Sequence, residues 1–363
     1  CIRDRGYAEA ADAPRWIGLS SAALAFLLVG AGVHIVQTVG LALATDLVPV
    51  KDQPKVVGLM YVMLLVGMIA SALIFGWLLL DYTRGRLIRV VQGAAVVTVA
   101  LNLLALWKQE PRDRVRAQHA GPVPEFREAW AMFAAGPMAI RLLAVIAFGT
   151  MGFGMADVLL EPYGGQVLGL SVAETTRLTA VLAAGGLVGF AIASRVLMRG
   201  ADPLVVARAG AVAGLPAFAA IIAAAPLQLP ALFVLGTALA GLGAGLFGHG
   251  TLTATMRSAP REQIGLALGA WGALQASAAG VPIAVGGRMR DAIAPMPGVT
   301  ERPPDAPYTP VIALDIVCLI VGLLLMQKLL GRANRTAAGK RYMSVRQGAN
   351  SALGSGLQRM EET

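Results

Sequence analysis

FLLVGAGVHIVQTVGLALATDLVP, residues 26–49, is an apolar run of helix length with His34 and Gln37 inside it, ending at Asp46 just before Pro49. A helix needs about 20 mostly apolar residues to cross the hydrocarbon of a bilayer, and this run, extended a few residues upstream, supplies them. A strand crossing a membrane would show short segments of period two. Here the apolar residues are unbroken and interspersed with glycine, which points to a helix. The rest of the chain repeats the pattern. Hydrophobic residues make up 56% of 363 positions and charged residues 14%, with a mean hydropathy of +0.68, whereas soluble domains carry about 25% charged residues. The fold expected is an all-α integral membrane protein.

Nine spans follow, at about 19–45, 56–80, 87–107, 138–160, 178–198, 204–225, 229–249, 264–284 and 309–330. The longest polar stretch, KQEPRDRVRAQHAGPVPEFREAW at 108–130, separates three spans from six and holds His119. The organisation expected is an extramembrane segment 1–18, three spans within 19–107, a linker 108–137, a six-helix unit 138–330 and a basic tail 331–363. With the linker placed inside, about two-thirds of the Lys and Arg residues fall on its side of the membrane. Basic residues accumulate on the cytoplasmic side, so linker and tail are expected there. DYTRGRLIR at 81–89 runs against that bias.

The net charge of +9 is spread between apolar runs and in the tail, without a basic face interleaved with aromatics, so membrane lipid is the expected counterpart and nucleic acid is not. Cys1 and Cys318 imply neither a disulfide framework nor a CxxC site. The chain opens CIRDRGYAEAADAPRW, without Met, and is expected to be incomplete at its N-terminus. No Walker loop, HExxH or GxSxG motif stands out, so no enzymatic function is expected.

GFAIASRVLMRGADP, 189–203, resembles the cytoplasmic-turn pattern of the major facilitator superfamily, through Gly189, Arg195, Arg199, Gly200 and Asp202. FLLVGAGVHIVQTVGLALATDLVP, the following VVGLMYVMLLVGMIASALIFG, and FGMADVLLEPYGGQVLGLSVAETT resemble something narrower: the PucC and LhaA family, relatives of that superfamily in phototrophic bacteria. The resemblance runs from about residue 20 to about 330. It implies a major-facilitator-like bundle whose first three of twelve helices are absent here, together with the basic turn between the second and third. It further implies an antenna assembly factor, or chaperone, of the bacterial inner (intracytoplasmic) membrane. Its expected partners are light-harvesting α/β polypeptides, with the reaction centre or pigment-synthesis enzymes as further ones, and its expected cofactor is bacteriochlorophyll. The other function the fold allows is secondary transport of a small solute around a midplane site.

Ionisable groups inside a membrane cost a few kcal/mol each on insertion scales, which makes each a candidate. His34 is mid-span with Gln37 three residues on, and an imidazole nitrogen is a good axial ligand for the magnesium of a tetrapyrrole. A hydrogen bond to a neighbouring helix is the other reading. Gln37 could meet a pigment carbonyl. His249, in GLGAGLFGHGTLTATM, is expected at the cytoplasmic end of its span. The glycines around it could admit a macrocycle, but Gly241 and Gly245 form a GxxxG pair that favours helix packing. No other metal site is expected.

Asp46, Asp157 and Glu161 are the candidate partner- or substrate-binding carboxylates. Asp46 could equally be an interfacial acid paired with Lys51 or Lys55. Asp157 and Glu161 share a helix face at i and i+4, and Pro162, Gly164 and Gly165 are expected to break the helix straight after, admitting water. The pair could hold a basic antenna segment, a proton or a cation, or cap a helix end with Arg177. Asp315 and Gln275 read as interhelical hydrogen-bonders, and Met60, Met63 and Met68 as packing residues.

Overall fold

The computed structural model of the chain describes residues 15–49, 53–107, 126–136, 138–259, 264–293 and 305–330. Among these residues the regular structure is helical: α1 (Arg15–Asp46), α2 (Gln53–Leu78), α3 (Arg84–Leu106), α4 (Phe126–Ala134), α5 (Ala139–Gln166), α6 (Val172–Met198), α7 (Pro203–Ala224), α8 (Pro230–Ser258), α9 (Ile264–Ile293) and α10 (Thr309–Leu330). All but the short α4 are long and apolar enough to cross a membrane, which makes nine candidate spans among the described residues. Helix α4 lies within the stretch expected to be linker and leans on α9 and α5. His119 and the tail from 331 lie outside the described residues.

Four helices, α5, α6, α8 and α9, run further than the sequence suggests. Helix α5 does not break at Pro162, Gly164 and Gly165 but runs through them to Gln166. An interior proline removes one backbone bond and costs about 3 kcal/mol; the burial of Tyr163 offsets that here. Its ring stacks on Phe233 at 5.3 Å between centroids and meets Tyr308 edge-on at 5.4 Å, and its hydroxyl donates to the Ile221 carbonyl at 3.3 Å. The helix stops later, where Gly169 takes a φ of +69° and the Leu170 amide donates back to the Gly164 carbonyl at 3.0 Å.

Helix α6 begins at Val172 because Ser171 and Glu174 form a reciprocal capping box. Helix α8 continues past His249 to Ser258, and within this extension Thr251 and Thr255 return their hydroxyls to the Phe247 and Thr251 carbonyls, both at 2.9 Å. This bonding hides polar groups inside the helix. His249 is therefore more than two turns from the end of its helix, not at that end. Helix α9 carries on to Ile293, past the expected end at 284.

The core is concentrated in α5–α10, where Tyr163, Phe218, Phe233, Phe247, Tyr308 and Leu319 are fully or almost fully buried. Helix α8 is the hub, packed against α6 on one side and α7 on the other. A β carbon at Gly241 would land on the Leu182 carbonyl oxygen of α6, and one at Gly245 on that of Gly186. Gly185 and Gly189 of α6 face Ala238 and Leu242 of α8 in the same way. The helices touch backbone to backbone, the close approach that a GxxxG pair permits. Helix α10 closes the unit by laying Leu319 and the Asp315 carbonyl against Gly152 of α5.

Helices α1–α3 are attached mainly through α2, which packs along α6, and through α1, which touches α9. Helix α3 buries none of its residues. Apolar side chains that stay exposed in a chain of membrane spans face lipid or a partner.

Candidate functional site

The α2–α6 seam brings an aromatic cluster to the middle of the molecule. Gln37 on α1 donates through its amide nitrogen to the Tyr61 hydroxyl of α2 at 3.1 Å. Tyr61 lies 6.0 Å from the Phe190 ring of α6, near-parallel, and 5.9 Å from Trp271 of α9, edge-on. Phe190 covers the His249 ring at 4.0 Å. Trp271 donates its indole N–H to the Thr251 hydroxyl of α8 at 3.3 Å. Tyr61 thus ties α2 to α1, α6 and α9, and Phe190 and Trp271 extend the cluster to α8, the fifth helix.

Two cavities flank Tyr61. The central one, of about 360 Å³, lies between α2 and the six-helix unit; Thr150, His249 and Gln275 are its polar lining residues beside Tyr61 and Trp271. The second, of about 740 Å³, lies among α1, α2 and α3 and is apolar but for Gln37, Tyr61, Thr98 and Asn102. Met68 lines the first; Met60 and Met63 line the second. Ligand pockets run from about 300 to 1,000 Å³, so both are of ligand size.

The sequence candidates fall into different places. His34 lies outside the linings of both cavities, half-buried on α1, and no described residue hydrogen-bonds its ring. Gly30, one turn earlier, has open space where a β carbon would be. Gln37 turns its amide to Tyr61. His249 faces the central cavity, but its Nε2 lies 3.2 Å from the Ser194 hydroxyl and its Nδ1 is buried without a hydrogen-bond partner. An axial ligand must offer a lone pair on an uncovered ring nitrogen. His34 meets that condition as it stands; His249 would first have to leave Ser194 and Phe190.

Glu161 is exposed and accepts a hydrogen bond from the Thr179 hydroxyl of α6 at 2.9 Å, so its partner is Thr179 and not Arg177. Asp157 lies on α5 one turn before it, and Asp46 closes α1; the side chains of both lie outside the described residues. Asp315 is fully buried on α10.

Tyr61, Phe190, Ser194 and Trp271 were not among the sequence candidates. Single aromatics and a serine in apolar runs carry no local signal, because their meaning comes from which helices meet.

Comparison with known proteins places these features in a family. The family model described as PUCC protein matches residues 4–334. The protein named Protein PucC of Rhodovulum sulfidophilum is 66% identical over 291 residues, covering 79% of this chain and 64% of its own length. Protein PucC of Rhodobacter capsulatus is 57% identical over 334 residues, covering 91% and 72%. A Rhodobacter capsulatus protein named Bacteriochlorophyll synthase 44.5 kDa chain is 29% identical over 284 residues, covering 74% and 63%. The chain therefore spans about two-thirds of the length of these relatives.

Among solved structures, a bacterial homologue of the human lysosomal transporter Spinster, inward-facing and unoccupied, aligns with a TM-score of 0.52 at 20% identity, covering 82% of this chain and 74% of that one. At that identity the likeness speaks for the fold alone, a membrane helix bundle of major facilitator type. Matched by the family model almost end to end and more than half identical to proteins named PucC, this chain belongs to the PucC family.

Proposed function

We propose that the chain is a non-enzymatic assembly factor for light-harvesting antenna complexes in the inner, intracytoplasmic membrane of a phototrophic bacterium, holding antenna α or β polypeptides and bacteriochlorophyll while the two are joined. Membership of the PucC family carries this reading. The exposed apolar sides of α1 and α3, with Val29, Val33, Val96 and Leu103 all more than half exposed, support it, since a transmembrane antenna helix needs such a side to lie against. Gly30, Gly32 and Gly93 leave open space there, which allows close approach. The reaction centre and the enzymes of pigment synthesis are further partners of the same pathway.

Bacteriochlorophyll, when bound, would supply a magnesium that a ring nitrogen of the protein could hold. His34 offers the ring nitrogen, and the space at Gly30 leaves room for a flat ring beside α1. Gln37, which donates one amide N–H to Tyr61, holds α1 against α2 and keeps its second N–H for a pigment carbonyl. Glu161 presents a carboxylate that a basic antenna segment can reach. Gentle solubilisation from a phototrophic host followed by affinity purification tests the reading. Antenna polypeptides should copurify, and their absence from a coloured membrane extract would count against it.

A second reading, secondary transport of a small solute, is favoured by the central cavity between α2 and the six-helix unit and by the transporter fold. Uptake into proteoliposomes that is abolished by Tyr61→Trp, which narrows that cavity, would support it.

A further inference from the structure

Met198 is 81% exposed on the last turn of α6, beside a groove between α6 and α2. Val62 and Phe190 form part of the groove's apolar wall, and Ser194, Arg195 and Arg199 line it with Met198. We propose that this groove is a binding site for an anionic phospholipid, with the headgroup phosphate between Arg195 and Arg199 and an acyl chain along Val62 and Met198.

The two arginines stand four residues apart, so they project from the same side of α6. Both are exposed, and neither forms an ion pair with a carboxylate among the described residues. The acid nearest in sequence, Asp202, accepts the Leu204 amide at 2.8 Å and caps α7, so it is committed elsewhere. Like charges at this spacing repel, and a shared anion removes that repulsion. The planar guanidinium fork matches phosphate oxygens in pairs.

Depth selects the source of the phosphate. Helix α6 is a candidate span from Val172 to Met198, which puts Arg195 in its last turn and Arg199 at its C-cap, both at headgroup level, where aliphatic stems can lie along apolar surface. Ile192 and Val196, 44% and 37% exposed, continue the apolar side of the helix into the hydrocarbon. A free phosphate shares the headgroup chemistry but has no use for Met198 or Val62. The inference depends on membrane insertion and not on the antenna reading.

Native mass spectrometry of the detergent-purified chain, titrated with phosphatidylglycerol and with phosphatidylcholine, tests it. Phosphatidylglycerol should be retained preferentially. A basic residue at an anionic surface contributes enough that Arg195→Gln/Arg199→Gln should weaken retention about thirtyfold and each single change about fivefold. Arg195→Lys/Arg199→Lys, which keeps the charge and loses the fork, should weaken it less, and it controls for damage to the fold. Arg208→Gln, at the same end of the bundle but outside the groove, should leave retention unchanged. Retention unaffected by the double glutamine variant would overturn the site. Equal losses at Arg208 would reduce it to diffuse surface charge, and displacement by inorganic phosphate alone would make it an ion site and not a lipid site.

Discussion

His34 and His249 differ in what their nitrogens can still do. His249 is held by Ser194 on one side and covered by Phe190 on its face, whereas the His34 ring has no hydrogen-bond partner among the described residues. His34→Phe keeps a flat ring and removes the ligand nitrogen. The purified variant is expected to lose its bacteriochlorophyll absorption while eluting as wild type on size exclusion. His249→Phe is expected to keep the pigment, and the reverse pattern would move the ligand to the central cavity. The glycines give a second residue-scale prediction. Gly241→Val drives a branched side chain into the Leu182 carbonyl, and overpacking of this kind costs about 1–3 kcal/mol or more. Gly32→Ala meets nothing. Thermal unfolding in detergent should separate the two, with a clear drop in Tm for the first and none for the second.

Helix ends show what was legible locally and what was not. The spans themselves could be read from apolar run length, and α1, α2, α3 and α10 lie within a few residues of expectation. The stop at Pro162 was misplaced because the aromatic contacts that carry α5 past it come from Phe233 and Tyr308, more than 60 residues away. The true stop, Gly169, is a local signal, since its φ of +69° is one that other residues adopt at a cost. Gly169→Ala is therefore expected to destabilise by about 1–2 kcal/mol, and Pro162→Ala to leave Tm unchanged or raised. Equal losses at both positions would contradict Gly169 as the residue that ends α5. The GxxxG pair at Gly241 and Gly245 could be read as packing, and it packs. The Tyr61 cluster could not, because five helices contribute to it and no window of sequence contains them.

At the scale of the whole molecule, three lightly packed helices sit beside a six-helix unit with an aromatic core. The proposed assembly role would divide the work between them, with the exposed sides of α1 and α3 meeting antenna polypeptides and pigment and α5–α10 supplying the packed body. The charge bias further predicts that the 108–130 stretch and the tail are cytoplasmic. Reporter fusions after residues 120 and 340 should report the same, inner side, and opposite sides would overturn that topology. The most direct test of the assembly role is the near-infrared absorption spectrum of membranes from a host lacking the gene, recorded beside total extracted bacteriochlorophyll. Antenna bands should fall while pigment synthesis continues, and the full-length gene should restore them where its His34→Phe form does so poorly. Normal antenna bands together with a changed uptake of a small solute would contradict the assembly role.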